Sequence, residues 1–127
     1  MQVVVDSFAW IEYLEGSQRG TSAAQIIDDE SMGVLTSAAT LAEVVSKFLR
    51  NGKDFQIALQ TIQAISTIAE VTTEIGVLAG KIHVEQKKKN RDFGMLDAFV
   101  AATAEKNNAR ILTGDSDFKR LRNVILI

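Results

Sequence analysis

Apolar residues along this chain switch repeatedly between continuous short runs and helical spacing. Val3-Val4-Val5 is a β-branched run that stops at Asp6, the pattern of a buried strand. From Ser7 to Leu14 the residues Phe8, Ile11 and Leu14 fall on one helical face, with Ser7 placed to cap it. A loop follows from Gly16 to Gly20. Thr21 to Asp29 then reads as a short helix with Ala23, Ala24, Ile26 and Ile27 inward, and Met32 to Leu35 as a second strand.

From Thr40 the positions Leu41, Val44, Val45, Phe48 and Leu49 repeat at i, i+3, i+4, i+7 and i+8, which predicts an amphipathic helix ending near Asn51-Gly52. Asp54 opens another, with Phe55, Ala58, Leu59, Ile62 and Ile65 on its inner stripe, and Thr67 to Val71 is a third strand. Thr73 to about Gln86 is helical through Ile75, Leu78, Ala79 and Ile82, and Gly76 with Gly80 would let another helix or chain approach closely. Lys87 to Asp92 is a polar loop. Gly94 to Lys106 is apolar almost all round, as buried helices are, and strands at Ala109 to Thr113 and Val124 to Ile127 complete the chain. Strands alternating with helices predict one α/β domain over 1–127, with a mainly parallel sheet of about five strands flanked by helices.

Composition narrows the chemistry. There is no cysteine, which excludes disulfide scaffolds, thiol nucleophiles and thiolate metal sites, and His83 is the sole imidazole. Only oxygen and imidazole ligands remain. No apolar run approaches the roughly 18 residues that cross a bilayer, and no basic leader precedes one, so a cytoplasmic protein without membrane contact is expected. The net charge of −2 is no general nucleic-acid coat, but it hides any local gathering of acids.

In open α/β sheets ligands bind beyond the carboxyl ends of the strands, so Asp6 and Asp115, each just past a strand, are expected to share a cleft. Asp97 is the only ionised group between Phe93 and Ala104. A lone buried carboxylate is costly unless paired or metal-bound, although a helix-start aspartate also benefits from the dipole. Glu43 projects away from its helix's apolar stripe, where solvent exposure is the ordinary outcome. Asp117 is equally readable as a cap or as a ligand.

The ordered blocks "VVVDSFAWIEYL", "TSAATLAEVVSKF" and "GMLDAFVAATAEKNNARILTGDSDF" resemble the PIN-domain nucleases, and among them the compact VapC-type ribonuclease toxins, over essentially the whole chain. The resemblance implies a PIN-like fold with Mg²⁺ or Mn²⁺ in an acidic pocket. Asp6, Glu43, Asp97 and Asp115 match the four core acids, Asp117 a more variable accessory ligand, Thr113 a supporting hydroxyl and Ser7 a small polar neighbour of the first aspartate. It also implies hydrolysis of RNA phosphodiesters by activated water, leaving 5′-phosphate and 3′-hydroxyl ends. A cognate antitoxin and a homodimer are implied as well, with housekeeping RNA processing or a non-catalytic metal-stabilised interaction module as the alternatives. His83 matches no catalytic position of the family.

Clustered acids cannot all stay ionised without a counter-cation, so raised, coupled pKa values are expected in the metal-free pocket. RNA also needs positive surface. Lys87, Lys88, Lys89 and Arg91 form the densest basic run and are one candidate rim, with Lys119, Arg120 and Arg122 a second.

Overall fold

The computed structural model describes residues 1–127. Its elements run β1 (Gln2–Val5), α1 (Ser7–Glu15), α2 (Gln18–Ile27), β2 (Gly33–Ser37), α3 (Ala38–Arg50), α4 (Phe55–Ile65), β3 (Thr67–Ala69), α5 (Thr73–Lys87), α6 (Met95–Lys106), β4 (Arg110–Thr113) and β5 (Val124–Leu126). A single 3-10 turn at Ser116–Phe118 separates the last two strands. All four strand pairings are parallel, in the order β3-β2-β1-β4-β5.

The pleat of β1 explains its unbroken apolar run. Val3 and Val5 pack with Trp10, Ala23, Val44 and Ile62 from α1 to α4, while Val4 points to the other face among Val100, Ala101, Ile111 and Phe118. A central strand of a parallel sheet is covered on both faces, so none of its positions needs to be polar. The alanine-rich α6 lies between the sheet and α5. Its Ala98 and Ala102 pack with Ile75, Ala79 and Phe93, and its Val100, Ala101 and Ala104 face the sheet.

Several element ends differ from the sequence expectation. The cap of α1 is Asp6, whose carboxylate accepts a hydrogen bond from the Ala9 N–H at 2.9 Å, rather than Ser7. Helix α2 begins at Gln18, inside the expected Gly16–Gly20 loop, because Ser17 caps it by accepting from the Gly20 N–H. Gly20 is buried against α1, and a Cβ there would lie 2.0 Å from the Glu12 carbonyl oxygen. Strand β2 runs on to Ser37. Leu49 and Ile65, expected inward, are exposed at the ends of their helices. No other part of the chain approaches the Gly76 and Gly80 positions.

Candidate active site

The strand order reverses at β1. Connections from β1 through β2 to β3 move one way across the sheet, and β4 returns to the other side of β1. The β1 and β4 carboxyl ends therefore border the crevice where doubly wound folds bind ligands. Asp6 and Asp115 stand at those ends.

Asp6 is 4 % exposed. One carboxylate oxygen caps α1 and the other accepts a hydrogen bond from the Thr113 hydroxyl. Burial pushes this carboxyl up to about 7, against the two hydrogen bonds and with smaller contributions from the charges of Asp115 and Asp97. Thr113 is itself fully buried and accepts from the Asp115 N–H at 2.9 Å, so one hydroxyl links both strand-end acids.

Asp97 reaches the crevice from the first turn of α6. Its Oδ2 accepts the Gly94 N–H at 2.8 Å, so it is a helix-start cap and a pocket residue at once. Its carboxyl is raised chiefly by burial, and the charges of Asp115 and Asp117 act in the same direction. Glu43 enters from the middle of α3 and is also raised, again mainly by burial, with the Ser7 hydroxyl opposing and Asp97 and Asp115 adding to the rise. Asp6, Glu43 and Asp97 are thus each pushed toward the protonated form, chiefly by burial.

Asp6, Ser7, Glu43, Asp97 and Asp115 line one open cavity of about 440 Å³. Phe8, Ile11, Leu96 and Val100 supply apolar wall, and Ser46, Lys47 and Arg50 extend the lining along α3. Phe8 is fitted closely: a Cβ on Gly114 would lie 2.2 Å from its ring, and the Arg19 guanidinium sits 5.5 Å from the ring centre. Lys47 and Arg50 were missed in the sequence, although their i+4 and i+7 spacing from Glu43 places all three on one helical face.

Asp117 does not line this cavity. Its Oδ1 accepts from the Asn90 amide at 2.9 Å, and it borders a smaller depression of about 180 Å³ with Lys89, Ser116, Lys119 and Arg120. Of the other loop cations, Lys87 donates to the Arg91 carbonyl and Lys88 pairs with Glu85 at 3.1 Å. Arg120 donates to the Lys89 carbonyl at 2.9 Å. His83 lies on α5 and does not line the acidic cavity.

The donors available are carboxylate and hydroxyl oxygens, the set a hard divalent cation takes. No three of the carboxylates stand together as a closed ligand group.

The family model described as PIN domain matches residues 3–124. Among solved structures the chain is similar to VapBC2 from Rickettsia felis bound to a promoter DNA fragment, with a TM-score of 0.76 and 19 % identity, covering 100 % of this chain and 98 % of that one. It is similar to Mycobacterium tuberculosis VapC20, a sarcin-ricin loop cleaving toxin, with a TM-score of 0.76 and 20 % identity over 96 % of each chain. DNA-bound VapBC from Salmonella typhimurium gives a TM-score of 0.71 at 16 % identity, covering 100 % and 97 %. No curated protein matches in sequence.

Proposed function

We propose that this chain, which belongs to the PIN domain family, is a divalent-metal-dependent endoribonuclease and the toxin of a toxin–antitoxin pair. The observation that carries the reading is the meeting of Asp6, Glu43, Asp97 and Asp115, from four separate elements, in one cavity at the sheet's switch point. Such a concentration of carboxylates in a partly desolvated crevice is unfavourable without a cation.

Asp6, Asp97 and Asp115 would hold Mg²⁺ or Mn²⁺, and the bound ion would supply an acidified water and offset charge on the scissile phosphate. The chain's own groups prepare that pocket. Thr113 and the α1 N-terminus fix both oxygens of Asp6, and the Gly94 N–H fixes one oxygen of Asp97, leaving the other without a protein partner. Asp115 spends Oδ1 on the Asp117 N–H at 2.8 Å and keeps its second oxygen. Glu43, which reaches the same cavity from α3, would orient the attacking water or accept its proton. Its raised carboxyl makes it a better base than a free glutamate.

The similar structures support the toxin role: one is a sarcin-ricin loop cleaving toxin, another is a toxin–antitoxin complex from Klebsiella pneumoniae, and two are VapBC assemblies bound to DNA. An antitoxin has a surface to occupy, since Leu41, Val45, Leu49 and Leu59 of α3 and α4 line an open apolar groove that shares Ala42, Ser46 and Arg50 with the acidic cavity. A homodimer would use the uncovered Gly76–Gly80 face of α5, where Val77 and Val84 are exposed.

The test is incubation of partner-free protein with a mixed pool of structured RNAs in Mn²⁺, Mg²⁺ or chelator, beside Asp97→Asn. Metal-dependent cleavage to 5′-phosphate ends by the parent alone is expected. Equal cleavage by both proteins would remove Asp97 from the chemistry, and cation binding without any cleavage would favour an interaction module.

A further inference from the structure

Where the RNA backbone lies when its scissile phosphate is in the acidic cavity is not answered by the acids themselves, because four carboxylates repel every flanking phosphate. The cations nearest in sequence density are those of the Lys87–Arg91 loop. Two of them are already engaged within the protein, Lys87 with a backbone carbonyl and Lys88 with Glu85, and none of the loop's cations lines the acidic cavity.

We propose that Lys47 and Arg50 of α3 form a phosphate-binding subsite that continues the acidic cavity and carries the RNA backbone away from the scissile bond along α3. The proposal rests on the ribonuclease reading of the same pocket. Three observations support it. Both residues line the cavity that holds Asp6, Glu43, Asp97 and Asp115. They stand one and two turns beyond Glu43 on the same helical face, so the wall changes sign from anionic to cationic within α3. Neither side chain takes part in any ion pair or side-chain hydrogen bond, unlike Lys53, Lys88 and Lys106, which pair with Glu15, Glu85 and Glu74. Ser46, one residue before Lys47, adds a neutral hydroxyl donor to the same lining.

Cations in the last turn of a helix also complement its dipole. That role accounts for their position along α3 but predicts only an effect on stability. A phosphate subsite predicts an effect on binding and on its salt dependence instead.

The experiment uses the full chain with Asp97→Asn, so that binding is read without cleavage, and a fluorescent mixed-sequence single-stranded RNA of twelve nucleotides as probe. Lys47→Ala/Arg50→Ala in that background is expected to weaken binding at least tenfold and to flatten the slope of log K against log salt by about 1.4, the value for two lost contacts to a single strand. Its melting temperature should match the parent's, because both side chains are exposed. The charge-matched Lys81→Ala/Arg110→Ala, neither residue of which lines the acidic cavity, controls for net charge and should leave affinity within twofold. Unchanged affinity and slope in the α3 variant, while the RNA still binds and the Asp97-intact protein still cuts, would overturn the subsite but not the nuclease. Equal losses from both double variants would reduce it to a net-charge effect and overturn it as well. If the parent neither binds nor cuts RNA, the ribonuclease reading fails first and the subsite with it.

Discussion

Thr113 and Asp6 lie 107 residues apart in the chain and are joined by a buried hydrogen bond from the threonine hydroxyl to the aspartate carboxylate. The same hydroxyl accepts from the Asp115 N–H, so it sets the spacing of two acids that no local interaction connects. Thr113→Val keeps the shape and removes both bonds, leaving buried polar groups unpaired. A stability loss of about 1–3 kcal/mol is expected, together with a larger fall in cleavage than the stability loss explains. Thr113→Ser should restore both. The check is denaturant unfolding beside turnover for the three proteins, and a Val variant with full activity would remove Thr113 from the site.

Asp6 gives the metal-free protein a pH dependence of defined sign. Its carboxyl is raised from the ordinary aspartate value of 3.8 to about 7, chiefly by burial. Between these values the folded state binds a proton that the unfolded chain has released, so stability falls as pH rises, by about 1.4 kcal/mol per unit for one group. Thermal melts in chelator should therefore drop from pH 5 to pH 7. Asp6→Asn should flatten the profile, and Mg²⁺ should stabilise the parent more at pH 7 than at pH 5. A parent profile that rises over this window would contradict the protonated, metal-free pocket.

Asp115 and Asp117 separate by what they face. Asp115 lines the main cavity, whereas Asp117 is tied to Asn90 outside it. Asp115→Asn is expected to abolish metal-dependent cleavage, and Asp117→Asn to keep it within a few-fold. Cation titrations by calorimetry on both variants give an independent readout, and loss of binding in Asp117→Asn would return that residue to the ligand set.

Gly20 fixes the crossing of α1 and α2. Its missing Cβ would meet the Glu12 carbonyl oxygen at 2.0 Å and the carbonyl carbon at 2.7 Å, backbone atoms that cannot move aside without parting the helices. Gly20→Ala should cost about 1–3 kcal/mol while leaving the specific activity of the folded fraction intact. Unaltered stability would mean that the α1–α2 contact relaxes freely.

The elements were legible wherever a single period held for a full strand or several helical turns. The run Val3-Val4-Val5, the stripe on α3 and the apolar α6 were read directly, because burial of neighbouring residues is written as periodicity. The end of α2 nearest α1 was not, since Ser17 acts as a cap only once the chain has turned. Gly20 looked like a loop glycine, and its actual constraint is contact with a different helix.

The site divides along the same line. Asp6 and Asp115 could be placed together from strand ends alone, because parallel sheets gather their carboxyl ends on one side. Asp97 announced itself as a charge in an apolar helix, and the structure makes it both a cap and a cavity wall. Glu43 required the family resemblance, since on its own helix it faces away from the apolar stripe. Lys47 and Arg50 were overlooked because a dense run at Lys87–Arg91 drew attention by composition, which carries no direction in space.

By itself, then, the amino-acid order determined the alternation of strand and helix, the absence of thiol chemistry and the placing of Asp6 and Asp115 at strand ends, all of which depend on residue type and short-range spacing. Tertiary structure alone decided which wall of the pocket is cationic, that the Thr113 hydroxyl bonds to both strand-end acids, and that Asp117 turns to Asn90. The physical reason is that these relationships are made between elements far apart in sequence, by the strand order β3-β2-β1-β4-β5 and by the packing of α3 and α6 across the crevice at its centre.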